Sequence, residues 1–390
     1  MSVTPKRLFF IISMLWLAGV ATRVPILAIP PLIPFIRTEL HMSGTEIGAL
    51  SGIPLILLAF GALPGSALVD WLGARRALLI GLLIAGIGSI LRGFASTTIY
   101  LFAATTVMGI GIAIPQPALP VMVRQWLPSR IALGTAAYSN GIIAGCIFPV
   151  AMTLTLIMPA LNNSWQLDLI FWSMPVFMTL IFIAVAAPRS HDPPRPAELR
   201  TRFLWGIDYS LIWRIGLIFG ANNCIYFGTN TFLPPYLIEI GQAHLVTEAL
   251  TAYNITELPG SFAVLALASR VERRHWPYVG AGLCLVLNLV WLSTSGGIWT
   301  ITAAGTLGFF SGVTLATGLM LPPLLSKPSE VARVAAAMFT LSYTFAMVSS
   351  IVGGAVWDLL GHPRFAFLML AVCALPLIVI TPTLNFKQKY

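Results

Sequence analysis

Long apolar runs recur along the whole chain, separated by short polar breaks. A helix that crosses a membrane needs about 20 apolar residues at a rise of about 1.5 Å each. On that rule the runs predict helices over 8–35, 45–68, 77–95, 98–123, 131–157, 166–187, 210–238, 245–268, 276–294, 297–322, 329–355 and 363–383. One long polar stretch, Pro188 to Asp208, interrupts the series; it holds Pro193, Pro194 and Pro196 among several arginines. It reads as a linker over 189–208 between a six-helix bundle over 1–188 and a second one over 209–390. The expected fold class is an all-α membrane protein of twelve transmembrane helices in two halves.

Composition supports lipid as the solvent. Hydrophobic residues make up 57% of the 390 residues and charged residues 9%, against about 25% charged in soluble domains. Mean hydropathy is +0.88. So few charges cannot cover a soluble surface of this size. The net charge of +9 does not indicate nucleic acid, because its placement follows topology. Lys6, Arg7, Arg75, Arg76, Arg124, Arg130, Arg189, Arg195, Arg200, Arg202, Arg214, Arg270, Arg273, Arg274, Lys327, Arg333, Lys387 and Lys389 fall in one alternate set of loops. The other set holds only Arg37, Arg92 and Arg364. The positive-inside rule then places both termini and the linker in the cytoplasm of a multi-pass plasma-membrane protein, of the bacterial inner-membrane kind. Anionic lipid is a partner by the same charge, and a monomer is expected.

Cys146, Cys224, Cys284 and Cys373 are far apart in sequence, inside apolar runs and without metal spacing, so they read as packing residues. The N-terminus has the basic start and apolar run of a signal peptide, but its apolar character continues to about Ile36, so it reads as a retained span. No phosphate loop, metal cluster or nucleophile–base pair is visible. Neither a cofactor nor enzymatic chemistry is expected, and the histidines at span ends and loops argue against a histidine proton relay.

Leu63-Pro64-Gly65-Ser66 in the second helix returns as Leu258-Pro259-Gly260-Ser261 in the eighth, with basic residues following each at similar distance. A duplicated six-helix unit is the reading, and in transporters built this way the site lies at the midplane. After Gly65 the chain runs Ser66-Ala67-Leu68-Val69-Asp70-Trp71-Leu72-Gly73-Ala74-Arg75-Arg76. A carboxylate in such a turn can cap a helix N-terminus or pair with arginine; the same residues also serve as a topogenic basic loop. Arg23 stands roughly 20 Å from either end of its span. An arginine at that depth costs at least about 2.5–3.5 kcal/mol, so it faces protein, water or ligand. Pro25, Pro30, Pro31 and Pro34 follow it and predict a broken helix, which transporters use at their sites. Arg23 either binds an anion or strong acceptor, or makes an ion pair inside the bundle.

The Asp70 to Arg76 stretch resembles the signature that major facilitator superfamily transporters carry between helices two and three. The arginines stand one position later than usual, and Ser66 and Trp71 replace the common Gly and Arg. The resemblance implies a gating role for Asp70, Gly73, Arg75 and Arg76, and the twelve-helix fold with pseudo-symmetric halves. Ala21-Thr22-Arg23-Val24 with Pro31-Leu32-Ile33, Gly109-Ile110-Gly111-Ile112-Ala113-Ile114 with Leu119-Pro120 and Arg124, Ala137-Tyr138-Ser139, and Phe219-Gly220-Ala221-Asn222 with Tyr226 and Phe232-Leu233-Pro234 resemble the cyanate and 2-nitroimidazole transporter branch. Gln116, where that branch often has Asn, and Ser342-Tyr343-Thr344 depart from its pattern. The resemblance implies secondary transport of a small anion or small polar heterocycle.

Glu257 is a second intramembrane charge, near Asn254 and Thr256. It reads as a proton-coupling carboxylate, as an ion-pair partner of Arg23, or as a hydrogen-bonded core group. Gln116, Tyr138, Asn140, Asn222, Asn223, Tyr226, Tyr253 and Tyr343 are the candidates to line a substrate cavity; each alone also suits interhelical hydrogen bonding. Asn222 and Tyr226 share a helical face. Asn288, in an outer helix of this fold, is left out. Proton-driven drug efflux is the alternative within transport, and a non-transporting receptor the alternative outside it.

Overall fold

The computed structural model describes residues 5–128, 130–187, 209–271, 273–327 and 331–386. The expected linker over 189–208 lies outside them. The described residues are helical throughout their regular parts, with no strand among them. In order the helices are α1 Pro5–Leu27, α2 Ile33–Leu40, α3 Gly44–Leu72, α4 Ala74–Arg92, α5 Thr98–Ala113, α6 Pro115–Trp126, α7 Ile131–Met152, α8 Met158–Ala160 and α9 Trp165–Ala186. They continue with α10 Tyr209–Glu239, α11 Val246–Ala266, α12 Ala268–Val271, α13 Trp276–Thr294, α14 Ile298–Leu325, α15 Val331–Leu360, α16 Arg364–Cys373 and α17 Leu375–Val379.

Proline divides several expected single spans. The first span becomes α1, a 3₁₀ turn over Pro30–Leu32, and α2. The fourth becomes α5 and α6, which meet at Ile114 just before Pro115. Proline has no N–H for the helical ladder and crowds the preceding turn. Among the described residues, ten helical stretches are long and apolar enough to cross a membrane. The long helices α10 and α11 are not in that set. They carry Asn222, Asn223, Asn230, Asn254 and Glu257, so their polar content is concentrated where a site is sought.

The chain divides into two compact units: residues 1–40 with 56–197, and residues 41–55 with 198–390. In unit 1, α1 packs tightly on α7, and α4 on α5 and α9. With no hydrophobic drive between helices in lipid, small residues must let backbones approach. Gly141 of α7 lies on the Trp16 backbone; a Cβ there would sit 2.9 Å from the Trp16 carbonyl carbon and 3.1 Å from its Cα. In unit 2 the tightest pairs are α11 with α14 and α10 with α15. Gly312 of α14 meets the backbone of Glu257 in the same way, at 2.8 Å from its Cα. The repeated tetrapeptide does one job twice. Gly65 leans on Ile114 at the α5–α6 junction, and Gly260 leans on Phe309 and Val313 of α14.

The start of α3 belongs to unit 2, whereas sequence placed it with the first bundle. The cause is a cap. Ser43 and Glu46 form a capping box, with Ser43 N donating to Glu46 Oε2 (2.8 Å) and Glu46 N to Ser43 Oγ (3.2 Å). Asp358 of α15 then accepts from Gly44 N (2.6 Å), Thr45 N (2.8 Å) and Thr45 Oγ1 (2.6 Å). A carboxylate on the positive end of a helix is doubly favourable. Asp358→Ala should cost about 1–2 kcal/mol and lower the thermal unfolding midpoint. An unchanged midpoint would mean that the cap contributes nothing.

Candidate functional site

In unit 1 the site begins at the break in helix one. Pro25 lies inside α1, and α1 stops at Leu27. The last ladder bond runs from Ala28 N to Val24 O (3.0 Å), and Ile29 N turns to Ile26 O (3.5 Å). Arg23 stands one turn before this end, half-buried. Its Cβ faces Gly145 of α7, where an added Cβ would lie 3.1 Å away. On the same α7, Tyr138 is half-buried, and Asn140 is exposed and accepts from Trp16 Nε1 of α1 at 2.9 Å. Gln116 is half-buried in the first turn of α6, which packs against α1 and α7. Arg23, Tyr138 and Asn140 thus share one helix pair, with Gln116 on a neighbouring helix.

Two expectations in this unit are corrected. Arg92, counted by charge among the loop cations, closes α4, is 1% exposed, and donates from Nη1 to the Pro25 carbonyl at 2.7 Å. A basic residue at the end of an apolar run looks like a loop cation, but this one binds a carbonyl at the broken end of α1. The stretch holding Asp70 was read as a loop, but it is the last turn of α3. There Asp70 is exposed and Gly73 makes the turn into α4 at φ +83°. Arg75 Nη2 donates to the carbonyls of Ala184 (2.6 Å) and Ile183 (3.4 Å), in the final turn of α9. A cation at a helix C-terminus is favourably placed. Arg76 is exposed.

Unit 2 gathers most of the other candidates. Asn222 Oδ1 accepts from Thr314 Oγ1 (2.6 Å) and Ser311 Oγ (3.1 Å), and Ser311 Oγ also lies 3.1 Å from Glu257 Oε1. One hydroxyl therefore joins Asn222 of α10 to Glu257 of α11. Glu257 is half-buried, and the Ser311 hydroxyl beside it is neutral. A turn further along α10, Tyr226 donates to Asn254 Oδ1 (2.9 Å), and Asn254 Nδ2 donates to Asn230 Oδ1 (2.9 Å). The Tyr226 and Tyr253 rings stack at 6.0 Å. Tyr253 is fully buried, which is the setting of a packing residue. Asn223 donates to Ser342 Oγ at 3.0 Å, and Tyr343 stacks on Phe339 at 6.2 Å.

Ser311 and Thr314 were missed in the sequence. Their signal was there: hydroxyls three residues apart on one face of an apolar span. Such residues usually bond their own helix backbone, and Thr314 does so as well, to Phe310 O at 3.2 Å. No group of three or more His, Cys, Asp or Glu able to hold a metal occurs among the described residues.

The chain is 25% identical over 384 residues to the 2-nitroimidazole transporter of Escherichia coli (strain K12), covering 96% of this chain and 95% of that one. It is 24% identical over 372 residues to the cyanate transport protein CynX of the same organism, covering 94% of each. In fold it is similar to the nucleoside transporter NupG, with a TM-score of 0.75 at 14% identity, covering 97% of this chain and 100% of that one. These relatives and the apolar helices make it a multi-pass plasma-membrane protein. The model of the Major Facilitator Superfamily matches residues 11–353, and the chain belongs to that superfamily.

Proposed function

We propose that the protein is a secondary active transporter that moves a small anion or a small polar heterocycle by alternating access. The observation that carries this reading is Arg23. It is a permanently charged group, half-buried one turn before the broken end of α1. The guanidinium offers a planar fork of donors suited to a small oxyanion or an acceptor-rich ring. Full-length relatives named for cyanate and 2-nitroimidazole transport support the same class. The protein acts as a monomer, carries its cargo unchanged, and uses no cofactor. Gln116, Tyr138 and Asn140 in unit 1, and Asn222, Asn223, Tyr226 and Tyr343 in unit 2, supply neutral contacts; Tyr253, fully buried, packs behind Tyr226. Asp70, Gly73, Arg75 and Arg76 gate the cytoplasmic side.

Cyanate, nitrite and 2-nitroimidazole should be screened on purified protein by thermal unfolding. At a concentration of 100 times its Kd, a ligand stabilises by about 2.7 kcal/mol. At least one of the three is expected to raise the midpoint; none doing so would sink the substrate class.

Glu257 is the proposed proton-coupling carboxyl. It is half-buried and lies 3.1 Å from Ser311 Oγ. Glu257→Gln keeps the shape and removes the titratable proton. Uptake by that variant should lose the wild-type dependence on pH. A variant with wild-type rate and wild-type pH profile would remove Glu257 from the coupling step.

A further inference from the structure

We propose that Arg92 is the positioning residue of the helix-one break, and that by holding the Pro25 carbonyl it sets how Arg23 is presented. The second half of that statement rests on Arg23 as cargo anchor; the first half stands alone.

Backbone accounting leads to Arg92. In an unbroken helix the Pro25 carbonyl would accept from Ile29 N, four residues on. Ile29 N instead lies 3.5 Å from Ile26 O. Pro30 and Pro31 have no N–H to offer the Ile26 and Leu27 carbonyls. The break therefore leaves acceptors in an apolar interior, where each unmet carbonyl is costly. Arg92 Nη1 reaches in from α4 and meets the Pro25 carbonyl at 2.7 Å, with the whole residue 1% exposed. Pro25 is two residues from Arg23, so whatever fixes this carbonyl fixes the end of the turn that carries Arg23.

A structural ion pair does not account for Arg92. It has no ion-pair partner among the described residues, and its Nε and Nη2 lack any hydrogen-bond partner among them. Asp168, a fully buried acid of this unit, makes no ion pair among the described residues either. A guanidinium is thus buried for one bond to a backbone carbonyl, with two nitrogens in reserve. The Leu27 carbonyl, which Pro31 cannot serve, is an acceptor that those nitrogens can take up when helix one changes its bend. A neutral amide donor would have one NH₂ group and no such reserve.

The test is hydrogen exchange of the full-length protein without ligand, comparing wild type with Arg92→Gln and Arg92→Lys. Losing a charge-assisted hydrogen bond should speed exchange of the amides around the break, Val24 to Ile29, about tenfold. The rest of unit 1 should stay unchanged, and Arg92→Lys should fall between. Nitrite-dependent stabilisation should weaken in Arg92→Gln as it does in Arg23→Ala, although Arg23→Ala leaves exchange at the break as in wild type. Exchange at the break equal to wild type in folded Arg92→Gln would overturn the proposal. So would a rise spread evenly over unit 1, which marks a merely structural role. If Arg92→Gln does not fold, Arg92→Lys decides: unchanged exchange at the break overturns the proposal, and local loosening supports it. Local loosening together with no ligand for wild type would count against the cargo reading, and would leave the assignment of Arg92 at the break supported.

Discussion

Arg23→Ala should lose ligand-dependent stabilisation by cyanate, nitrite or 2-nitroimidazole while remaining folded. Two charge-assisted hydrogen bonds from a guanidinium to an acceptor contribute about 3 kcal/mol or more together, which is roughly a 100-fold loss in affinity or greater. Removing Arg23 also takes an expensive charge out of the membrane interior, which offsets the contacts the side chain makes, so intrinsic stability should change little. Thermal unfolding reads both quantities in one titration. Ligand shifts equal to those of wild type would separate Arg23 from the cargo. A fall in intrinsic stability without ligand would instead point to an ion pair within the bundle.

Gly141→Leu should prevent folding or lower stability by about 3 kcal/mol or more. Overpacking of a core costs about 1–3 kcal/mol when side chains can shift, but here the obstacle is backbone. The Trp16 main chain occupies the place of the new Cβ, so α1 must move off α7. That displacement would also carry away Arg23, whose Cβ abuts Gly145 one turn along α7. Gly280→Leu in α13 is the matched control, because nothing lies within 4 Å of a Cβ there. Yield and unfolding midpoint in detergent compare the two. Similar behaviour of both variants would mean that the α1–α7 contact is not a tight constraint.

Much of the fold was legible because lipid imposes one rule, an apolar run long enough to cross. The runs gave the helices to within a few residues at most ends, and the prolines after Arg23 foretold the break in helix one. The same rule explains the failures. Arg92 ends an apolar run, and a run's end is where loops begin; only the lost donor for the Pro25 carbonyl, a tertiary consequence, draws it inward. The start of α3 was placed with the first bundle, because the Asp358 cap comes from 314 residues away. At the candidate site, Asn222 and Glu257 stood out as polar groups in apolar helices. Ser311 did not, although it bonds both. A serine in a membrane helix usually bonds its own backbone, so partners such as those of Ser311 are legible only after the helices pack. The tetrapeptide shared by the second and eighth helices was a better guide, because its glycines meet neighbouring helices in both units.

The central claim is transport anchored at Arg23, and flux in proteoliposomes tests it most directly. Purified wild type and Arg23→Ala would be reconstituted at equal density, and uptake of labelled cyanate and 2-nitroimidazole measured against empty vesicles. Wild type is predicted to exceed empty vesicles for at least one of the two, and Arg23→Ala to fall to their level. No wild-type flux of either compound, or equal flux by both proteins, would contradict the claim.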